Sequence, residues 1–145
     1  MTLKRISIGA DHAGFKLKEK VRNYLDKKGY TVKDLGCFSE ERVDYPDFGH
    51  AVARSIESLE SEAGIIICGS GNGINMSANK HAGIRSALCW KPEIAELARQ
   101  HNNANVLALP ARFMDDEQAL RCVDIFLNTP FEGGRHTERV NKIDC

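Results

Sequence analysis

The 145-residue chain has no excess of either charge: 20 Lys and Arg stand against 20 Asp and Glu. That balance gives no reason to expect nucleic acid or an anionic membrane as the main partner. It has no apolar run long enough to cross a bilayer. It has no C-x-x-C pair. Its five cysteines, Cys37, Cys68, Cys89, Cys122 and Cys145, are odd in number and far apart, which argues against a disulfide framework or a structural zinc site. The opening "MTLKRISIGADHAG" runs into a strand-like segment without the pattern of a secretory leader, so a cytoplasmic protein with free thiols is expected. It lacks internal repeats, low-complexity tracts and linkers, and its length suits one domain over 1–145.

What is there is an alternation. "KRISIGA", "YTVKDLG", "AGIIICG", "IRSALC" and "NVLALP" read as strands. Between them lie helical segments, each with a start or stop signal. Gly29 closes the first, Pro46 opens the second and Gly83 ends the short third. Pro92 opens the fourth, and Asp115 and Asp116 the fifth. A last short helix is expected in "GGRHTERV". Five strands alternating with helices predict an α/β fold of three layers, with a parallel sheet covered on both faces, Rossmann-like. In such folds ligands bind at the carboxyl ends of the strands. Those ends carry "GADHAG", "DLGCFSEERVDY", "CGSGNG", "CWKPE" and "LPARFM".

The segment "IIICGSGNG" (65–73) sets a thiol beside a glycine-rich turn. It is no P-loop, because the Lys-Ser/Thr pair is missing. It is no dinucleotide fingerprint, because Ile74 stands where the third Gly belongs. Cys68 breaks the hydrolase G-x-S-x-G elbow, and a cysteine phosphatase would need Arg at Ile74. The remaining functional reading is physical. Gly69, Gly71 and Gly73 let successive N–H groups face one point, and the helix behind adds its positive end. An oxyanion would sit there with Cys68 beside it as a base. The alternative is a small core thiol among close-packed glycines.

The other polar candidates also allow two readings. Asp11 and His12 close the first strand, as site residues or with Asp11 as a helix cap. His101 and Asn102 end a helix, where both types are common for structural reasons. Arg112 follows the last strand. Arg135 and Arg139 share a helical face at i, i+4, suiting a phosphate or a solvated surface. His50 and His81 read as surface or packing residues, and no metal-ligand cluster or cofactor motif is visible in the sequence.

Taken in order, "GADHAGFKLK", "DYPDF", "IIICGSGNGINMSANKHAGIR", "ARQHNNANVLALPAR" and "EGGRHTERV" cover nearly the whole chain. With these motifs it resembles the ribose-5-phosphate isomerases of type B, a family that includes galactose- and allose-phosphate isomerases. The resemblance implies an aldose–ketose isomerase of the pentose phosphate pathway, working through an enediolate with no metal and no organic cofactor. It implies a sheet order of 2-1-3-5-4. It implies Cys68 as base, His101 as ring-opening acid assisted by Asp11, and residues 69–73 as the oxyanion loop, Asn72 included. It implies His12, Arg112, Arg135 and Arg139 on the phosphate, with Tyr45 and Asn102 lining the sugar site. Ser70 stands where relatives commonly have Thr and keeps the hydroxyl that can move a proton between sugar oxygens. Some relatives use a Glu a few residues on in place of the Cys; "INMSANK" offers none. A homodimer or homotetramer with sites shared between subunits is also implied. The rival expectations are the same chemistry on allose 6-phosphate or galactose 6-phosphate, and a non-catalytic binder of sugar phosphates or nucleotides.

Overall fold

A computed structural model describes residues 3–145. Five strands form one sheet: β1 (Arg5–Ala10), β2 (Thr31–Asp34), β3 (Ala63–Cys68), β4 (Ser86–Leu88) and β5 (Val106–Pro110). All neighbours pair in parallel, in the order β2-β1-β3-β5-β4. The helices are α1 (Phe15–Lys27), α2 (Tyr45–Glu57), α3 (Asn72–Asn79), α4 (Pro92–Asn102), α5 (Asp116–Asn128) and α6 (Arg135–Asn141).

Side-chain alternation along β3 decides which helices it meets. Ile65 and Ile67 join Leu17, Val21 and Leu25 of α1, Ala95 of α4 and Phe126 of α5 in one core. Ile66 and Cys68 point the other way, into a smaller core with Val52 of α2 and Ile74 of α3. All six residues of β3 are buried, as a central strand covered on both faces requires. Each fully buried Ile contributes about 1.5–3 kcal/mol relative to exposure, so the thiol at the strand's end is held by a stiff support. Close approach comes from glycine: a Cβ at Gly64 would lie 2.4 Å from Val52 Cγ1. α2 therefore sits down on the sheet.

Two boundaries differ from the sequence reading. α3 starts inside the glycine loop, at Asn72, and stops at Asn79. Gly83 lies in the following turn with φ +81° rather than at the helix end. The pattern of "INMSANKHAG" shows an apolar face but not the four residues that wind back toward β4. α2 starts at Tyr45, one residue before Pro46, which occupies the first turn.

Candidate functional site

The carboxyl ends of β1, β3 and β5 open into a cleft of about 490 Å³. Asp11 and His12 enter it from β1, Tyr45 from the start of α2, Cys68 and the glycine loop from β3, and Arg112 from β5.

Each group is held by an identifiable contact. The buried carboxylate of Asp11 accepts the Gly14 N–H at 3.1 Å. Asp11 thus braces the turn into α1, whose N-cap is Gly14, and also lines the cleft. His12 Nδ1 accepts the Val43 N–H at 3.2 Å. A neutral ring so held carries its proton on Nε2, which makes it a donor. Arg112 donates its backbone N–H to the Gly69 carbonyl at 3.0 Å, and its guanidinium folds over Gly69, 3.2 Å from where a Cβ would stand. Cys68 is 4 % exposed and lines the cleft wall.

The loop itself needs glycine at two places. Gly71 has φ +76°, and a Cβ there would lie 2.4 Å from Leu88 Cδ1. A Cβ at Gly73 would lie 2.5 Å from the Tyr45 ring, so the ring packs flat on the backbone. The first N–H groups of α3 have no acceptor within the helix. The Ser70 hydroxyl takes that of Asn72 at 3.2 Å, and its own proton stays free to be donated. The loop thus offers N–H donors and a helix N-terminus at one spot, beside a thiol.

The other expected residues lie elsewhere. His101 and Asn102 end α4, and β5 begins after three intervening residues. Asn105 bonds the Gly64 N–H at the start of β3, so this is the amino edge of the sheet. Cys68 pairs with Pro110 at the other end of β5. Four residue steps at about 3.3 Å put roughly 13 Å of strand between the two levels, far beyond proton-transfer reach. Arg135 and Arg139 accompany His101, because α6 packs on α4 and the Glu132 N–H donates to the Gln100 carbonyl at 3.0 Å. The structure therefore sorts the expected site residues into two groups. Asp11, His12, Tyr45, Cys68, Gly69, Ser70, Gly73 and Arg112 meet in the cleft, whereas Gly71 is packed against Leu88 and Asn72 lines a neighbouring hollow with Leu88 and Trp90. His101, Asn102, Arg135 and Arg139 form a second group at the opposite edge.

Two clusters were not anticipated. In the second group, His136 is buried and its ring stacks on that of His101, with centroids 4.2 Å apart and planes at 12°. The ligand atoms of His101, Glu132 and His136 lie within 4.8 Å of one another. Parallel rings send their lone pairs side by side rather than to one point, so a cation needs one ring turned before it can be held. The second cluster is a chain from His50 Nδ1 to His81 Nε2 and from His81 Nδ1 to Glu57, each 2.7 Å long. It ties α2 to the turn after α3, so these two His are a hydrogen-bonded pair rather than separate packing residues. The separations in sequence, 31 residues between His50 and His81 and a similar gap within the first cluster, hid both groups.

The chain matches the family described as Ribose/Galactose Isomerase over residues 6–143. It is 45% identical over 141 residues to ribose-5-phosphate isomerase B of Escherichia coli, covering 97% of this chain and 95% of that protein. A crystal structure of a ribose 5-phosphate isomerase from Thermotoga maritima superposes with a TM-score of 0.96 at 55% identity, covering 97% of each chain. The Mycoplasma genitalium ribose-5-phosphate isomerase B with bound ribulose-5-phosphate superposes with a TM-score of 0.92 at 43% identity, covering 99% of this chain and 95% of that one. The chain belongs to the ribose/galactose isomerase family.

Proposed function

We propose that this member of the family interconverts ribose 5-phosphate and ribulose 5-phosphate, an aldose–ketose step of the pentose phosphate pathway. The observation that carries the chemistry is Cys68 at the end of β3 beside a loop of N–H donors, in one cleft with Asp11, His12 and Arg112.

Ring opening comes first: His101 protonates the ring oxygen of the sugar while the anomeric hydroxyl gives up its proton, with Asp11 assisting. Cys68 then takes the proton from C2 of the open aldose and returns it to C1. Between those moves the substrate is an enediolate, whose oxygen charge forms against the N–H groups of residues 69–73. The Ser70 hydroxyl carries a proton between the two sugar oxygens. His12 and Arg112 hold the phosphate, away from the reacting carbons, so its binding energy keeps the open chain extended in line.

This reading needs a second copy of the chain. Proton transfer requires His101 within about 3 Å of the sugar, and its own Cys68 lies at the other edge of the sheet. We infer a homodimer in which the amino-edge group of one subunit, His101, Asn102, Arg135 and Arg139, caps the cleft of the other. Two equal sites then follow from a two-fold axis.

The test is ketose formation from ribose 5-phosphate, assayed beside allose 6-phosphate and galactose 6-phosphate with a chelator present. Preference for the five-carbon sugar supports the reading. Preference for a six-carbon sugar keeps the mechanism and moves the substrate. Silence on all three means a sugar-phosphate binder without catalysis.

A further inference from the structure

The segment 132–136 contains a side chain with no role in the chemistry above. His136 is 7 % exposed, and it is the buried residue of α6. Its neighbours on that helix, Arg135 and Arg139, are exposed. Its ring lies on the His101 ring at 4.2 Å, nearly parallel. The chain reaches this arrangement by a specific path. Glu132 is pinned by its N–H to the Gln100 carbonyl, one residue before His101. Gly133 and Gly134 then turn back with φ +68° and +54°, and α6 starts at Arg135. Positive φ at two successive positions is cheap only for glycine. The turn delivers His136 onto the face of His101.

We propose that His136 is a positioning residue for the ring-opening step: it is the platform that fixes the orientation of the His101 imidazole. The proposal rests on the reading of His101 as the acid of that step. His101 ends a helix, and its side chain is 38% exposed, so little else restrains its two torsions. An acid that must meet one ring oxygen gains from a locked rotamer. A flat ring at stacking distance supplies that lock at the open end of α4.

The charges around His136 suit a neutral platform. From α4 it faces His101, from the connecting segment Glu132, and on its own helix Arg135 and Arg139. Burial, then the positive charges of His101, Arg135 and Arg139, hold the His136 imidazole below its usual range, against the opposing pull of Glu132. This opposes a second positive charge on the ring that stacks against His101. The Glu132 carboxylate oxygen lies 3.5 Å from His136 Nε2 and 3.8 Å from His101 Nε2, and it stands beside the pair as a shared counter-charge.

The test exploits a difference between the two substrates. The aldose enters as a closed ring. The ketose, with its C5 oxygen phosphorylated, has no hydroxyl that can close a five- or six-membered ring. Loss of the ketose C1 proton signal in D2O, followed by NMR, therefore reads the Cys68 step alone. Turnover of the ring-closed aldose reads ring opening as well. For His136→Ala we expect aldose kcat to fall about tenfold or more, with KM changed less than about twofold and ketose C1 proton loss within about threefold of the parent protein. His136→Phe restores the flat face and most of the aldose turnover. Glu132→Gln, at a half-exposed position that does not threaten folding, shows a smaller aldose-only loss. Equal losses with both substrates, no loss at all, or Phe no better than Ala overturn the proposal. His101→Asn is the reference and must itself show the aldose-selective loss; without it the role of His101 falls instead. Parent protein inactive on both sugars sinks the proposed function.

Discussion

The two edges of the sheet build their polar groups in different ways. At the carboxyl edge the groups sit on strand ends and on a loop, and backbone contacts hold them: Gly14 to Asp11, Val43 to His12, Asn72 to Ser70. At the amino edge they are long or half-exposed side chains on helix ends, ordered by the Glu132–Gln100 contact, the His101–His136 stack and the Glu132 carboxylate beside both rings. The first edge has the preorganisation that the proposed enediolate chemistry needs. The second is suited to closing over a ligand bound elsewhere. The proposed dimer joins one of each kind.

The sharpest test of the contrast is at the thiol. Cys68→Ser should lower kcat by roughly 10²–10⁴-fold, with sugar-phosphate affinity, measured calorimetrically, nearly unchanged. Normal turnover would remove Cys68 as base. The pairing of edges is broken by mixing. Cys68→Ser and His101→Asn homodimers should each be inactive in the turnover of ribose 5-phosphate. Subunit exchange at equal concentrations should restore about a quarter of the parent activity, because half the dimers are mixed and each has one intact site. No recovery, with exchange confirmed by native mass spectrometry, places His101 and Cys68 in the same subunit.

Arg135→Ala or Arg139→Ala should raise KM for ribose 5-phosphate about tenfold or more, the loss of one charge-assisted contact to phosphate. KM unchanged in both means the phosphate lies elsewhere. Gly73→Ala should push the Tyr45 ring away, since the new Cβ stands 2.5 Å from it. A several-fold rise in KM with little change in melting temperature is expected, and a crystal structure showing Tyr45 unmoved contradicts it.

The smallest effect is on pH stability. Arg22 first, and then Lys18, hold the Glu19 carboxyl well below the usual range, at about 2. An unfolded Glu titrates near its ordinary value, so this contribution is present above that value and disappears as pH falls toward about 2. His136, held below its usual range when folded, works in the same direction: the unfolded chain takes up its proton first, so stability drops as pH falls below the ordinary histidine range. Melting temperatures between pH 7 and 3 should fall less steeply for Glu19→Gln than for the parent. Parallel slopes would show that Glu19 carries no such linkage.

Much of this was legible in the residues. A continuous β-branched run marked β3 as a strand buried on both faces, and Pro46, Gly29 and Pro92 marked helix ends. Both the strands and their order of appearance followed from local pattern. The "CGSGNG" turn stood out in the sequence as a candidate oxyanion loop, with close packing of glycines as its alternative. The start of α3 was missed because Asn72 and Gly73 carry no helical pattern; Gly71 in the left-handed region launches the helix. His136 was overlooked because its value lies in a contact with a residue 35 positions away, which no periodicity records.

The sequence by itself determined the alternation of strands and helices and the thiol beside a loop of N–H donors. These depend on neighbours within a few positions, where backbone geometry and side-chain period act directly. Only the tertiary structure decided which of those side chains can meet. A helix in a parallel α/β unit runs back against its strands, so residues at a helix end and at a strand end lie on opposite edges of the sheet. That reversal separates His101 from Cys68 in one chain, and the Gly133–Gly134 turn brings His136 onto His101.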